Sequence, residues 1–562
     1  MGRKKPQALS PMQLRRMSSF TALPPPEGLD LQGEDSYRYV RQDTQLWSAL
    51  HAGRLTTSRL KDALGLRDLT ASRLVGGPQF PQLGVAMAYA HLQTPRWDLP
   101  ARPSAGAAAA PGWDAGAPAS ASSALLSCEA ARLLYNELLA SGSGEEAGSG
   151  EGWSAEDRRR NSEAAALSAG SANSVRMRLL WGTLQESSAV ATLALLFPGS
   201  QVEEVGLLCL SDPRPWGVEQ KELPPLGASP DALITHHVAI TRHAVEAARA
   251  QLSAGGGGGA ASHPAAARTA ARAVLRAALE LHTKQAGAAW AAQRAGATSP
   301  AGQAARHPPP EGLTASYFAQ RSIPLYGAAE EALEWLTQEL LAPVRRGSAA
   351  QLQGDGQQLQ LQEGSSCGDG GGGGCTAGGL QGAQGSAGDA GSGQGGSGDD
   401  GEVAAVVRLR EVVEVKNHCP FVFKGQRAAQ RRGVTINYAN NDRGPVASLW
   451  PLWVPQLQAH CASCGADSVL LLSRSPSKGI RLFRMYRDDE YLSSALALVR
   501  ELQCAHVARN EPPGADPWAG RPGYDELLQR TVALARQAEA VIEAKVTPKM
   551  DGADSSAFWS LR

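Results

Sequence analysis

The chain has 562 residues, in which 54 Lys and Arg balance 54 Asp and Glu. This length allows roughly two or three domains, but 62 Gly, 35 Pro and long Ala, Gly and Gln tracts reduce the part that can bury apolar surface. Because these charges balance, the protein has no net positive charge that would attract a polyanion. Any nucleic-acid contact must therefore use a local basic patch. No apolar run approaches the ~20 residues of a bilayer span, and we expect a soluble protein with no membrane partner.

The N-terminal segment, residues 1–35, is basic and is predicted to be disordered. Three Arg, two Lys and three Ser precede the first acidic residue, Glu27, and this acid-poor composition is typical of an organelle transit peptide. The Arg3-Lys4-Lys5 cluster fits a nuclear localisation signal equally well. The eight Cys form no dense framework, which favours a reducing compartment. We therefore expect an intracellular protein, in a chloroplast or mitochondrion or alternatively in the nucleus.

Low-complexity segments interrupt the rest of the chain. Four insertions are predicted to be disordered, at about 99–124, 141–172, 252–310 and 347–401, although the Ala-rich part of the third could form a solvated helix. They divide one catalytic-size domain that spans residues 36–506. Residues 507–562 are predicted to form a C-terminal helix and tail.

Apolar periodicity predicts the elements of this domain. Helices are predicted over 41–50, 59–64, 125–140, from about 174, and over 326–342, 488–504 and 524–546. Strands are predicted over 202–210, 231–240 and 406–416, with a hairpin formed by 469–472 and 480–486. The mixture indicates an α/β domain with a small central mixed sheet flanked by helices.

Two carboxylates and one lysine stand in or beside the apolar strand segments. Asp231 precedes one apolar run, and Glu414 and Lys416 lie in another. Charge there is costly unless it is paired or binds a cation, and this set can hold a hard divalent cation and stabilise an attacking hydroxide. Alternatively, Asp231 is an ordinary turn residue after Pro230, and Glu414 and Lys416 form an exposed ion pair on an edge strand.

Five segments in chain order carry a family resemblance. They are Arg54–Ser58, Trp181–Thr183 with Glu186, Gly227–Asp231 with Glu414–Lys416, Pro455–Gln458, and Tyr486–Asp488. Together they resemble the YqaJ-like viral recombinase family, which includes phage lambda exonuclease, within the PD-(D/E)XK nuclease superfamily. Two departures are Ala232, where the family usually has glycine, and the long insertion between the acidic motifs. Because closing a flexible loop costs only roughly 0.6 kcal/mol per doubling of its length, the insertion is tolerable.

The resemblance implies a restriction-endonuclease-like core and a Mg²⁺- or Mn²⁺-dependent DNA nuclease. It implies an exonuclease that acts on the ends of linear double-stranded DNA in recombination, repair or DNA turnover, and a homo-oligomer is possible. The implied metal ligands are Asp231, Glu414, the Val415 carbonyl and Glu186. Lys416 would stabilise the attacking hydroxide.

Glutamines and phosphate-binding groups complete the implied site. Gln456 would orient the nucleophile, with Gln458 as the alternative. Arg54, Thr57 and Ser58 would bind the terminal phosphate of a DNA end. Further backbone contacts are expected from Arg176, Arg178, Arg474 and Lys478.

Each of these residues also has a purely structural interpretation. Glu186 could close a capping box that starts at Thr183, although its helical stripe points to the packed side. The two glutamines could be polar positions near a helix start, and Arg54 a solvated residue beside an N-cap. Cys461 and Cys464 have metal-ligand spacing, but no clean second pair exists, and buried thiols usually just pack.

Three other functions remain open from sequence. The first is a catalytically inactive nuclease-fold protein that binds DNA or acts as a scaffold. The second is a nuclease with a thiolate-bound iron–sulfur cluster. The third is an RNA substrate.

Overall fold

The computed structural model describes residues 11–25, 29, 33–76, 84–96, 172–254, 263–297, 324–342, 402–419, 421–424, 437–440, 444–475 and 478–545. The helix predicted over 125–140 lies outside these residues, as do the insertions predicted at 99–124 and 347–401 and, except for Ala172, the one at 141–172. The chain divides into two compact units. The first comprises Met1–Ala239, Arg276–Ala329 and Val406–Arg562, and the second comprises Ile240–Leu275 and Glu330–Ala405.

Helices and strands are interspersed through the described residues. The α-helices are α1 Pro11–Leu14, α2 Gln45–Leu50, α3 Thr57–Ala63, α4 Leu69–Val75, α5 Gly84–Leu92, α6 Ala172–Leu196, α7 Arg242–Ala254, α8 Pro264–Ala297, α9 Ala329–Leu341, α10 Val454–Cys464, α11 Asp489–Glu501 and α12 Tyr524–Gln537. The strands are β1 Phe20–Thr21, β2 Leu55–Thr56, β3 Gln201–Glu203, β4 Leu208–Cys209, β5 Leu226–Ala228, β6 Ala232–Thr241, β7 Leu325–Tyr326, β8 Val403–Asn417, β9 Phe421–Lys424, β10 Asn437–Asn440, β11 Ser468–Ser475, β12 Gly479–Tyr486 and β13 Glu539–Ala544.

The central sheet is mixed. Its strand order is β1-β3-β6-β8-β11-β12-β13, and β7 also pairs with β8. Strands β8 and β11 run parallel, with Glu414 opposite Leu471, whereas β11 and β12 form the predicted antiparallel hairpin. A short second sheet joins β2, β5 and β4. The expected α/β class, with a mixed sheet flanked by helices, is confirmed.

Helices cover both faces of the central sheet because its middle strands are apolar on both sides. Leu233, Val412 and Leu471 enter a first core, which also contains residues of α3, α10, α11 and α12. Their neighbours Ile234 and Val413 enter a second core, which contains much of α6. Successive side chains of a strand point to opposite faces, and this alternation places the sheet between two helical layers.

The N-terminal prediction is wrong for residues 11–25. Leu14 and Phe20 are buried in the second core, and β1 pairs with β3. Arg15 also forms an ion pair with Glu204 at 2.6 Å. The basic composition of this segment gave no sign that these two apolar residues are buried, because the core residues that they contact come close only after folding.

The C-terminal prediction is also wrong in part. The helix ends at Gln537, and β13 pairs with β12, with Ile542 opposite Leu482. The apolar residues over 538–542 fit the period of a helix as well as that of a strand. This segment forms a strand because β12 offers it hydrogen bonds. Tyr524 in α12 donates to the Leu64 carbonyl at 2.9 Å. The domain therefore does not end at residue 506.

Within the insertion predicted at 252–310, residues 264–297 form α8 and are not disordered; the alternative of a helix in the Ala-rich part describes them better. Ala271 and Leu275 are among its buried residues. Within the second unit, α8 and α7 are tied to α9 by ion pairs, of which Arg268–Glu330 is the shorter at 2.7 Å. No helix in the described part of the chain has both the length and the apolar character needed to span a membrane.

Other boundaries shift by smaller amounts. The strand predicted over 202–210 splits into β3 and β4, which belong to different sheets. The helix predicted from residue 41 begins only at Gln45. Asp488 caps α11 as expected and accepts from the Tyr491 N–H at 2.8 Å.

A buried polar network that the sequence did not reveal crosses the first unit. Glu411 is fully buried and accepts two hydrogen bonds from Arg484, at 2.8 and 2.7 Å, and one from Ser468. His236 Nε2 lies 3.1 Å from the same carboxylate, and Ser200 lies 2.8 Å from His236 Nδ1. Although burial opposes it, the Arg484 charge and the His236 contact lower the pKa of Glu411.

We predict that Glu411→Ala lowers the free energy of unfolding by about 3–5 kcal/mol, because Arg484 would remain buried without its partner. Glu543→Ala removes a more exposed partner of Arg481 and should cost about 1 kcal/mol or less, since solvent screens that pair. Urea unfolding of the two variants checks the contrast. Equal losses in the free energy of unfolding would show that the buried Glu411 network stabilises the fold no more than an exposed ion pair does.

The same carboxylate gives stability a pH dependence. Its folded pKa lies below the ordinary value of 4.5, so its contribution is complete above that pH and is lost as the pH falls toward the folded value. Urea unfolding at several acidic pH values should therefore show a smaller decline for Glu411→Ala than for the native chain.

Candidate functional site

Asp231 is fastened to β8 by its backbone and by its side chain. Its N–H donates to the Val413 carbonyl at 3.1 Å, and its carboxylate accepts the N–H of Val415 at 2.5 Å. These two bonds lie on either side of Glu414 in the sequence. Asp231 is therefore not merely a turn residue after proline, because it joins the start of β6 to the later part of β8.

Glu414 lies in an interior strand and is only 4% exposed. Its Oε1 accepts from Lys416 Nζ at 2.5 Å and from Gln456 Nε2 at 2.8 Å. Its Oε2 lies 3.3 Å from His460 Nε2. The predicted i, i+2 pair is present, but the alternative of an exposed pair on an edge strand is wrong.

Helix α10 presents Gln456 and His460 to this carboxylate. A 3₁₀ turn over Pro451–Trp453 leads into the helix, and residues four apart share one helical face. His460 is fully buried, and its Nε2 also lies 3.4 Å from Thr57 Oγ1. The sequence analysis assigned His460 no role at this carboxylate; its i+4 spacing from Gln456 was the missed signal.

Glu186 reaches the same region from α6. Asn417 at the end of β8 donates to the Gly182 carbonyl at 3.3 Å, and Arg474 in β11 donates to Gln185 Oε1 at 3.1 Å. These bonds hold one turn of α6 against the ends of two central strands. Thr183 lies inside the helix, which begins at Ala172, so the capping-box alternative is wrong.

The three carboxylates repel one another electrostatically. Burial and then Glu414 raise the pKa of Glu186 to about 7. Burial, Glu414 and Glu186 raise the pKa of Asp231 well above its usual range. Although burial opposes it, the charges of Lys416 and His460 and their hydrogen bonds lower the pKa of Glu414 to about 2. Such crowding of negative charge is relieved by a cation.

The donor chemistry fits a hard divalent cation. Asp231 and Glu414 supply carboxylate oxygens on adjacent strands, Val415 supplies a carbonyl in the same segment, and oxygen ligands suit Mg²⁺. Glu186 adds a third carboxylate to their electrostatic neighbourhood. Within the described residues, however, no three His, Cys, Asp or Glu side chains are arranged as a metal-binding group.

Lys61 in α3 is a second lysine near this site that the sequence interpretation missed. Burial lowers its pKa to about 8, and the charge of Lys416 contributes to the shift. Its Nζ donates to the Ser58 carbonyl. Burial lowers the pKa of Lys416 less than Glu414 and Asp231 raise it, so the net shift is upward. The four-residue spacing of Lys61 from Thr57 in α3 was the available signal, because residues four apart share one face of a helix.

The predicted phosphate-binding residues do not converge. Arg54 is fully buried, donates to Glu34 at 2.9 Å and is therefore not a solvated residue. Thr57 is buried against His460, whereas Ser58 is exposed. Helix α3 begins at Thr57, and no side chain caps it.

Gln458 stabilises the fold at a distance from this carboxylate cluster along α10. Its fully buried amide donates to the Tyr486 carbonyl at 2.9 Å and accepts the N–H of Asp488 at 2.8 Å. Both polar atoms of the amide are therefore bonded to the segment that joins β12 to α11. Of the two predicted glutamines, Gln456 is the one beside Glu414.

The remaining candidates have structural environments. Burial raises the pKa of Cys461 well above its usual range and that of Cys464 to about 12, which favours packed thiols over metal thiolates. Arg474 is buried beside α6 and is not exposed to DNA. The side chains of Arg176 and Arg178 lie outside the described part of the chain, and Lys478 is exposed.

We predict that Gln458→Ala lowers the free energy of unfolding by about 2 kcal/mol or more, because two buried backbone groups would lose their partners. Gln456→Ala should cost less than about 1 kcal/mol, since Gln456 is half-buried and Glu414 keeps its other partners. Thermal and urea unfolding of this matched pair checks the assignment. A larger loss for Gln456→Ala would reverse the two roles.

Comparisons with protein-family models, curated proteins and solved structures found no match to this chain. The family resemblance therefore depends on the five sequence segments alone.

Proposed function

We propose that this protein is a divalent-metal-dependent DNA nuclease with a restriction-endonuclease-like core. One observation carries the proposal: Asp231, Glu414 and Lys416 meet on adjacent interior strands, with Gln456 bonded to Glu414. Buried charges of this kind are costly to maintain, and they cluster at functional sites. The order of the five family-like segments supports the same activity.

Asp231, Glu414, the Val415 carbonyl and Glu186 would hold Mg²⁺ or Mn²⁺. When bound, the metal supplies a lowered water pKa and neutralises charge on the scissile phosphate. Lys416 remains protonated, because its pKa is raised, and its ammonium stabilises negative charge on the attacking oxygen and on the phosphate. Gln456 orients that oxygen, and His460 fixes the Glu414 carboxylate from its other side.

The proposed substrate is linear double-stranded DNA that is degraded from its ends. This part of the proposal comes from the resemblance alone. The cellular role would lie in recombination, repair or DNA turnover. Several copies of the chain acting as a homo-oligomer would be compatible with this role.

A catalytically inactive DNA-binding or scaffold protein is the second candidate. The observation that favours it is the incomplete ligand set, since the described residues contain no metal-binding group of three side chains. In that case Lys416 and Gln456 would only satisfy a buried glutamate. Cleavage assays separate the two candidates.

We predict that Glu414→Gln and Lys416→Met each abolish cleavage and leave DNA binding largely intact. The first removes a charge that would hold the metal, and the second removes the ammonium that acts on the reacting phosphate. Glu543 and Lys545 offer a matched control, since they form the same i, i+2 pair, at 3.3 Å, in an exposed position. Glu543→Gln and Lys545→Met should cleave at the native rate. Retained cleavage by either site variant would contradict the assignment.

A second prediction concerns the metal and the DNA end. End-labelled linear duplex should be degraded progressively with Mg²⁺ or Mn²⁺ and remain intact with EDTA. Covalently closed circular DNA should survive, because an exonuclease needs an end. A time course on both DNAs, with an RNA duplex alongside, checks this. Degradation of the circle would replace exonuclease by endonuclease, and preferential loss of RNA would change the substrate class.

A further inference from the structure

Two tryptophans precede α10, next to the candidate site. Trp450 and Trp453 form a T-shaped pair with ring centroids 5.9 Å apart. Trp453 packs against the first core, whereas Trp450 is 38% exposed and stands among the large hydrophobic side chains that face solvent. The pair therefore has one supported ring and one ring that is available to a ligand.

The supported ring connects the pair to the catalytic lysine. Lys416 Nζ lies 5.9 Å from the centre of the Trp453 ring, within the range of a cation–π contact. Trp453 is also only three residues before Gln456, which bonds to Glu414. Trp450 thus contacts Trp453, and Trp453 contacts the ammonium that is proposed to act on the phosphate.

A single exposed apolar side chain is normal on a protein surface. Trp450 differs because its ring is buttressed by a second indole that itself contacts the ammonium of Lys416. Proteins bind single-stranded nucleic acid by combining aromatic rings, on which bases stack, with cations that contact the phosphate backbone.

We propose that Trp450, supported by Trp453, is a stacking platform for one unpaired nucleobase of the strand that enters the site. This inference rests on the proposed function and deepens it by naming the substrate as a DNA end with an unpaired nucleotide. A base inside a duplex has both faces covered by its neighbours, whereas an unpaired base has a free face for the indole. The platform therefore favours overhanging or frayed ends over blunt ends.

Binding of the full-length chain to hairpin duplexes, measured by fluorescence anisotropy in EDTA, tests the platform without cleavage. One DNA carries a single unpaired nucleotide at its end, and the other carries an abasic residue at the same place. The native chain should bind the first at least fivefold more tightly, which is the effect expected from one stacked base. Trp450→Ala should remove that difference, and Trp450→Phe should retain most of it.

Leu281→Ala serves as the matched control, because Leu281 is also an exposed apolar side chain; it should leave both affinities unchanged. Equal binding of the two DNAs by the native chain would overturn the platform, and so would an equal loss on both DNAs in Trp450→Ala. Failure to bind either DNA would overturn it as well. Base-dependent binding without metal-dependent cleavage would instead overturn the nuclease activity and keep the platform.

Discussion

The bond between the Asp231 carboxylate and the backbone of β8 is the constraint on which the candidate site depends. It brings the start of β6 against the segment that carries Glu414 and Lys416, although a long insertion separates them in sequence. Once the two strands pair, burial makes their charges interact strongly, because low-dielectric surroundings strengthen both attraction and repulsion. Lys416 and Gln456 therefore stabilise the same buried carboxylate, because each donates a hydrogen bond to Glu414 Oε1.

The surrounding fold supplies the other partners from separate layers. Helix α10 lies on the face that Glu414 shares with the first core, and α6 reaches the strand ends through Asn417. Deeper in the same sheet, Glu411 and Arg484 neutralise each other and connect β8 to β12. The first unit thus contains two buried charge clusters along β8. The Glu411 carboxylate is paired with Arg484, whereas in the site cluster burial and the mutual repulsion of the carboxylates raise the pKa values of Asp231 and Glu186.

Much of the site was predictable because short-range chemistry marks it. Asp231, Glu414 and Lys416 stand in apolar strand segments where charge is unexpected, and the structure brings them together. Helical periodicity places Gln456 and Gln458 on different faces of the helix, but it does not say which face meets the site. Only the positions of β8 and of the Tyr486–Asp488 segment separate them. Arg54 was misjudged because its partner, Glu34, lies in a different part of the chain.

Local apolar spacing and capping are enough to predict the periodic elements β6, β8, the β11–β12 hairpin and α11. Tertiary structure decided whether ambiguous segments became helix or strand, as in β13, where hydrogen bonds from β12 settled the outcome. It also decided which polar groups are buried together, as with Glu411, His236 and Arg484. The physical reason is range: propensity and periodicity act over a few residues, whereas burial and charge pairing depend on segments that meet only after folding.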